Sequence, residues 1–197
     1  MKSIKLIALA AALAVCCAAS AQPYRTASIS YAKSNISQSG LSFDMPGAAF
    51  GVSFANKLPV NAPVLYEIGA NVAYMSGTVS LLGDSKLTLA SVMIPLNLMI
   101  EIDVDKVKVL PFAGLNVTGH LVGKTVTSGE DIVDSSTYNW FDDSDGDAAK
   151  RFQLGAQVGV KAIYDRFMFG VSYNPYLTKL WDGSSSNLLL ISLGILF

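Results

Sequence analysis

Residues 47–56 read GAAFGVSFAN, a stretch in which bulky apolar side chains alternate with small ones. Phe50, Val52 and Phe54 occupy every second position, and glycine and serine stand between them. Successive side chains of a β-strand point to opposite faces, so this spacing predicts a strand with one bulky apolar face and one small face.

The same alternation recurs along the chain after residue 23, and helical spacing is nearly absent. It predicts eight strands, and an even number of antiparallel strands brings both chain termini to the same side. The segments are 24–33, 47–56, 64–76, 86–102, 107–122, 151–164, 167–177 and 188–197.

The composition of the two strand faces indicates whether the outer surface of the sheet contacts water or lipid. In residues 91–102, SVMIPLNLMIEI, one face is aliphatic, and the opposite face holds serine, methionine, proline, asparagine and glutamate. A soluble sandwich or barrel would place lysine, glutamate, aspartate and threonine on its outer face. Small and weakly polar residues instead fit the narrow interior of an eight-stranded barrel, so the apolar face is predicted to contact lipid.

Composition and link lengths agree with a membrane barrel. Hydrophobic residues make up 51% of the 197-residue chain, charged residues only 15%, and the formal net charge of -1 excludes a basic nucleic-acid-binding surface. Short links at 57–63, 103–106 and 165–166 alternate with longer ones at 34–46, 77–85, 123–150 and 178–187. Short periplasmic turns and long outer loops are typical of outer-membrane barrels, so the termini are expected in the periplasm.

The N-terminus has the pattern of a secretory signal peptide. Two lysines precede an apolar stretch, and Ala19-Ser20-Ala21 offers a cleavage site. Residues 1–21 are therefore assigned to a cleaved signal peptide and residues 22–197 to the barrel. Both cysteines, Cys16 and Cys17, lie within the signal peptide, so the mature chain is expected to form no disulfides.

The last ten residues, LLLISLGILF, end on an aromatic residue that follows alternating apolar positions. This pattern resembles the C-terminal signal read by the bacterial barrel-assembly machinery, with Ile191, Leu193, Ile195 and Phe197 on one face. With VLPFAGLNVTG and RFQLGAQVGVKAIYD, the mature chain resembles the small outer-membrane β-barrels, OmpA/OmpX-like in strand number and similar to the PorT-like barrels of Bacteroidetes. The resemblance implies an all-β, eight-stranded antiparallel transmembrane barrel.

Four charged residues fall on the inward faces near the predicted periplasmic ends of their strands. The two carboxylates and two ammonium groups could neutralise one another, either as a plug that blocks the lumen or as a gate or ion relay. These residues are Glu67, Glu101, Lys108 and Lys161. Because an eight-stranded lumen is nearly filled by its own side chains, the plug is favoured.

His120, the single histidine, is predicted to point inward near the outer end of its strand. Ser128 and Glu130 are near in sequence and could complete a nucleophile, base and carboxylate set in a lipid A-modifying enzyme. The His-x-Ser-Asn pattern of lipid A deacylases is missing, because His120 is followed by Leu121, Val122 and Gly123. A structural histidine is therefore favoured.

The link 123–150 is rich in acidic residues. Its sequence DDSDGD, with Asp142, Asp143, Asp145 and Asp147, could bind a divalent cation weakly or bridge to phosphates of lipopolysaccharide, but it lacks the full spacing of an EF-hand loop. A solvated acidic loop is the favoured interpretation, and no resident metal or cofactor is predicted.

Two further local features are predicted within the strands. Pro95 and Pro111 fall inside segments, and β-bulges are expected there because proline cannot donate a ladder hydrogen bond. Aromatic residues near strand ends are expected to form girdles at both membrane interfaces. They are Tyr31, Tyr66, Tyr74, Tyr164, Phe169 and Phe197.

The sequence therefore predicts an integral outer-membrane barrel that is not an enzyme and acts as a structural or surface-interaction protein. Its expected partners are outer-membrane lipid, lipopolysaccharide and, during insertion, the barrel-assembly machinery, and a monomer is expected. A narrow channel or transporter for small solutes is the first alternative. A lipid A-modifying enzyme is the second.

Overall fold

The computed structural model describes residues 24–38, 40–59, 62–80, 84–128, 136–142 and 148–197, so the predicted signal peptide lies outside the described residues. The described elements are β-strands, as the alternation predicts. Among the described residues, no helix is long and apolar enough to cross a membrane. The strands are β1 (Tyr24–Gln38), β2 (Leu41–Lys57), β3 (Val64–Ser80), β4 (Asp84–Ile100), β5 (Ile102–Val104), β6 (Val107–Ser128), β7 (Ser136–Asn139), β8 (Phe152–Tyr164), β9 (Phe167–Pro175) and β10 (Ser184–Leu196).

The sheet closes on itself into a barrel. Neighbouring strands follow the order β4-β3-β2-β1-β10-β9-β8-β6, and an additional pairing between β4 and β6 completes the ring. The short β5 continues β4 and pairs with β6, whereas β7 pairs only with the outer part of β6. Counting β4 and β5 as one strand and leaving β7 aside, the barrel has eight antiparallel strands, as predicted.

The two faces of the strands are oriented as the sequence predicts. Bulky residues such as Ile29, Phe50 and Leu96 are more than half exposed on the outer face, and small or polar residues face the interior. The aromatic residues predicted at the interfaces lie on the outer face, although Tyr66 is half-buried. The outer surface is therefore apolar over most of its height, as a lipid-facing surface must be.

The link lengths at one end differ from the prediction. Residues 34–46 and 77–85 were expected to be loops, but β1 continues to Gln38, β2 begins at Leu41, β3 continues to Ser80 and β4 begins at Asp84. Most of these loop-end extensions are polar, and in β2 the apolar Leu41, Phe43 and Met45 lie at the opposite parity from Phe50, which hides the strand in the sequence. The pairing of Ser37 with Ser42 and of Val79 with Ser85 shows that they form hairpins.

The two ends of the barrel differ in their connections. At one end β5 joins β6 and β8 joins β9 through two-residue turns, where Asp105 and Asp165 both have a φ of 52°. Aspartate tolerates this left-handed conformation better than most residues, which suits tight hairpins. We call this the short-turn end, where β1 also begins and β10 ends, and we call the opposite end the loop end.

The bulges expected at Pro95 and Pro111 are absent, and this prediction was wrong. The ladder between β3 and β4 lapses between the Ile68–Leu96 and Asn71–Met93 pairs, but the register is the same on both sides of Pro95. Pro111 pairs in register with Val160 of β8 and lies opposite the break between β4 and β5. A local gap in the ladder thus accommodates each missing donor without an extra residue.

A bulge occurs instead near the outer end of β6. Ala90 pairs with Val122 and Ser91 with His120, so Leu121 is the extra residue. Leu121 and Val122 are both exposed, and Gly123 is buried. The bulge therefore reverses the inward and outward positions in the last part of β6.

Side chains fill the lumen in layers. One apolar cluster lies at the short-turn end and includes Leu65, Met99 and Phe112. A larger one lies at the loop end and includes Met45, Met93 and Trp140. Buried polar residues separate the two clusters along the axis of the barrel, among them Glu67, Asn97, Asn116, Gln157 and Ser172.

If the outer face contacts lipid, the stability lost on introducing a charge there should depend on its depth in the membrane. Leu96→Arg should lower the free energy of unfolding by about 2–4 kcal/mol, because it places a cation in the middle of the apolar outer surface. The variant Leu41→Arg, at the tip of the β1–β2 hairpin, should cost about 0–1 kcal/mol. Urea unfolding in lipid vesicles measures both values, and equal costs would contradict the lipid-facing assignment.

Candidate functional site

An ion pair lies in the polar middle of the lumen. The Lys161 ammonium donates to Glu67 Oε1, and Asn97 Nδ2 donates to Glu67 Oε2 at 2.9 Å. Glu67 is only 2% exposed, and the Lys161 Nζ also lies 5.4 Å from the centroid of the Phe112 ring. Strands β3, β4 and β8 thus contribute one connected polar group that spans the lumen.

A small cavity adjoins this ion pair. Its volume is about 50 Å³, and its lining includes Glu67, Asn97, Gln157 and Lys161. Asn97 Oδ1 and Gln157 Oε1 are buried and have no hydrogen-bond partner within the protein. A buried water needs about 10–15 Å³ and two to four polar partners, so the cavity is suited to a few waters that would satisfy these oxygens.

The second predicted pair forms at the short-turn end. Lys108 Nζ lies 2.6 Å from Glu101 Oε1, and the Tyr24 hydroxyl donates to the same oxygen at 2.9 Å. Lys57 Nζ approaches Glu101 Oε2 at 3.6 Å. Tyr24 and Lys57 did not figure in the predicted cluster.

The four predicted lumen charges therefore form two groups and not one network. The pair Glu67–Lys161 is buried between the apolar layers, and Glu101–Lys108 lies at the mouth with Lys108 nearly half exposed. Leu65 and Met99, of the apolar cluster at the short-turn end, lie between the two groups along β3 and β4. Strand parity placed all four inward, but only the register shows which residues meet.

A buried histidine group lies closer to the loop end. Ser91 Oγ is 2.7 Å from His120 Nδ1, and Gln153 Oε1 is 2.8 Å from His120 Nε2. The Gln153 amide nitrogen donates to Thr178 O at 2.9 Å, which leaves its oxygen as the acceptor for the ring. His120 accordingly carries its proton on Nε2 and accepts the Ser91 hydroxyl at Nδ1.

This hydroxyl, imidazole and amide arrangement resembles part of a hydrolytic triad, but its surroundings favour a structural role. Ser91, His120 and Gln153 are all at most 4% exposed. The Phe141 ring stacks on the imidazole at 6.2 Å, and Tyr176 packs edge-on at 6.4 Å. A neutral amide also lacks the charge that stabilises an imidazolium.

Sequence reasoning missed Ser91 and Gln153 as partners of His120. Inward parity could have indicated each of them, because both alternate correctly on their strands. Glu130 and the side chain of Ser128 lie outside the described residues.

The loop end is covered by aromatic residues. Trp140 is 2% exposed, donates from Nε1 to Thr125 Oγ1 at 2.8 Å, and packs edge-on against Trp181 with ring centroids 5.1 Å apart. Its backbone nitrogen donates to Gly123 O at 2.9 Å. A Cβ at Gly123 would lie 2.8 Å from the indole, so the glycine provides the space that Trp140 occupies.

The predicted acidic segment is only partly described. Asp142 is exposed, and Asp143, Asp145 and Asp147 lie outside the described residues. Within the described ranges, no group of three or more histidine, cysteine, aspartate or glutamate residues could hold a metal ion.

The residues of the predicted assembly signal lie on the outer face of β10. Ile191, Leu193, Ile195 and Phe197 are all exposed there, Phe197 to 72%. The Phe197 nitrogen donates to Arg25 O at 3.0 Å, so the last residue still pairs with β1.

Solved structures with this fold are outer-membrane proteins. Ail, the attachment invasion locus protein of Yersinia pestis, solved with the heparin analogue sucrose octasulfate, matches with a TM-score of 0.55 and 15% identity, covering 88% of this chain and 98% of that chain. A major outer membrane protein of Thermus thermophilus matches with a TM-score of 0.51 and 15% identity, covering 87% and 98%. At these identities the likeness shows the fold alone.

The outer membrane enzyme PagL also matches, with a TM-score of 0.45 and 14% identity, covering 84% of this chain and 97% of that chain. A likeness at that TM-score carries no weight for or against catalysis. No curated protein sequence matches the chain.

The family model described as "Outer membrane protein beta-barrel domain" matches residues 8–196, which is nearly the whole chain. This match agrees with the closed eight-stranded ring, its apolar outer face and its filled interior. The protein belongs to the outer membrane protein β-barrel domain family.

Proposed function

We propose that the protein is a plugged, non-catalytic barrel of the bacterial outer membrane that acts in surface interaction through its loop end. In this arrangement the termini and the short turns face the periplasm, and the loop end faces outward. The chain would be exported by its signal peptide, in a bacterium of the Bacteroidetes group, and inserted as a monomer by the barrel-assembly machinery. Outer-membrane lipid and lipopolysaccharide would surround it.

The observation that carries this proposal is the layered filling of the lumen. A solute entering from the short-turn end would meet Met99 and Phe112, then the Glu67–Lys161 ion pair, then Met93 and finally Trp140. The cavity beside the ion pair, at about 50 Å³, suits water but no larger solute. A filled interior leaves the loop end as the surface available for function.

The asymmetry of the two ends supports the proposed orientation. Two connections at the short-turn end are two-residue turns, whereas the loop end carries the long connections from β6 to β8 and from β9 to β10. Short periplasmic turns and longer extracellular connections are the usual arrangement in bacterial outer-membrane barrels. The acidic segment that begins at Asp142 would then lie outside the cell, where divalent cations and lipopolysaccharide phosphates occur.

The burial of His120 supports the assignment as a non-enzyme. A lipid substrate would have to displace Phe141 and Tyr176 before it could reach Ser91 Oγ. The group's hydrogen bonds are all made within the barrel, which is the state of a satisfied polar core. The enzyme alternative therefore gains no support from this group.

The filled lumen predicts a silent barrel in planar lipid bilayers. The folded wild type, which should shift on a gel after boiling, is expected to produce no conductance steps above the background of protein-free detergent. The double variant Glu67→Leu with Lys161→Met distinguishes a current through the lumen from a leak elsewhere. Steps in the wild type that vanish in this variant would favour the channel alternative, and steps in both would indicate a leak elsewhere; either result would contradict the plug.

The central ion pair predicts a strong effect of removing one partner. Lys161→Met should lower the free energy of unfolding by about 3–5 kcal/mol, because it leaves the Glu67 carboxylate buried and unpaired. Glu67→Gln with Lys161→Met should recover much of that loss, since it removes both charges. Urea unfolding in vesicles at neutral pH measures both.

An exposed pair of the same type provides the control. Lys33 Nζ lies 2.8 Å from Asp44 Oδ2 on the outside of the barrel, and both side chains are exposed. Lys33→Met should cost far less than Lys161→Met, because an exposed pair is screened by water and salt. Equal effects of the two substitutions would show that Glu67–Lys161 is no buried plug.

A further inference from the structure

A second and much larger cavity opens at the loop end. Its volume is about 480 Å³, and it lies between the β1–β2 hairpin, the outer part of β6, β7 and the turn before β10. This volume falls in the range of small-molecule binding sites, about 300–1,000 Å³. Nothing in the plug or the barrel wall requires a cleft of this size.

Aromatic side chains form much of the wall of this loop-end cleft. Phe43, Tyr138, Trp140 and Trp181 line it, each from a different strand or turn. Both tryptophans of the chain are among them. Tyr138 is 42% exposed, and Trp181 is half-buried, so ring surface remains available to a ligand.

The cleft is held in shape by hydrogen bonds of its own loops. The Trp181 nitrogen donates to Ser184 Oγ at 2.9 Å, and the Ser184 nitrogen donates back to Trp181 O at 3.1 Å. Gly183, with a φ of 79°, supplies the left-handed residue that this turn needs. The Lys150 nitrogen donates to Leu180 O at 2.8 Å and ties the two loops together. Preorganisation of this kind reduces the entropy lost on binding.

Polar groups stand beside the rings at the same cleft. Gln38 and Thr125 line it together with Lys150 and Asp182. Lys150 Nζ and Asp182 Oδ1 are 3.7 Å apart, so the cation and the anion among the described lining residues compensate each other. The described part of the lining thus offers both donors and acceptors and carries no net charge.

From this combination we propose that the loop-end cleft binds a neutral oligosaccharide. Sugar rings present apolar C–H faces that stack on aromatic side chains and a rim of hydroxyl groups that need both donors and acceptors. A purely apolar ligand would leave Gln38, Lys150 and Asp182 poorly solvated, and an anionic glycan would find one lysine balanced by one aspartate. The inference rests on the proposed function, because it assigns a ligand to the surface that the plug leaves available.

Binding can be measured through the tryptophans themselves. The wild type, folded in the sugar-free detergent lauryldimethylamine oxide, is titrated with maltohexaose, cellohexaose and chitohexaose and, as a separate arm, with neutral oligosaccharides cleaved from the bacterium's own lipopolysaccharide. A saturable change in tryptophan fluorescence is expected with at least one neutral oligosaccharide. The responding arm identifies whether the source is neighbouring lipopolysaccharide or a free polysaccharide.

Variants then locate the site by calorimetric titration. Trp181→Leu keeps an apolar side chain and the backbone turn but removes the stacking surface, and it should weaken binding by about tenfold. Tyr138→Ala should also weaken binding. The control Tyr173→Ala removes a similarly exposed tyrosine, at 45%, from the outer face of the barrel and should bind as the wild type does.

Several results would overturn the proposal. These are the absence of any saturable response to the neutral sugars, unchanged affinity in Trp181→Leu while the protein remains folded, or tighter binding of a sulfated oligosaccharide than of its neutral counterpart. The conductance measurement separates this failure from that of the plug. If the barrel does not conduct and binds no sugar, the plugged lumen stands and the sugar-binding cleft fails. If the barrel conducts and binds sugar, the sugar-binding cleft stands and the plugged lumen fails.

Discussion

Pairing of the backbone around a closed ring is the constraint on which the rest of this structure depends. A chain segment inside the hydrocarbon layer has no water to hydrogen-bond its N–H and C=O groups, so each strand must be paired on both sides. The ladder between β1 and β10, from the Thr26–Leu196 pair to the Gln38–Ser184 pair, joins the first and the last of the described strands and completes the ring. Once the ring is closed, each residue must face either lipid or lumen, and the alternation of the sequence follows.

Closure with eight strands also makes the interior narrow, and the narrowness determines what can fill it. Phe112 lies over its cross-strand partner Gly159, where a Cβ would be 2.5 Å from the ring. Glycine and serine on some strands therefore leave space for methionine, phenylalanine and asparagine on others. The Glu67–Lys161 pair fits in the same space only because each partner neutralises the other and Asn97 completes the hydrogen bonding.

The sequence was sufficient for the fold because alternation in a lipid-spanning strand is enforced at every residue. It was less informative where the strands leave the lipid. Residues 34–38 are mostly polar, and in residues 41–46 the apolar side chains lie at the opposite parity from Phe50, so the loop-end extensions of β1 and β2 were interpreted as loop. Parity placed Glu67, Lys161 and His120 inside correctly, but it could not show that Lys161 meets Glu67. Which inward residues meet across the lumen depends on the register of every strand pair around the ring. The sequence of a single segment does not contain this information.

The bulge at Leu121 shows how one such detail changes a site. Uninterrupted alternation from Asn116 and His120 would point Val122 and Lys124 into the lumen, where a lysine would lack a partner among the apolar residues of the loop end. The extra residue turns Lys124 outward and Gly123 inward, and the absence of a side chain at Gly123 admits Trp140. Trp140 in turn covers the lumen and forms part of the cleft above it. The plug and the loop-end cleft thus share a boundary, and a single register shift in β6 allows one indole to belong to both.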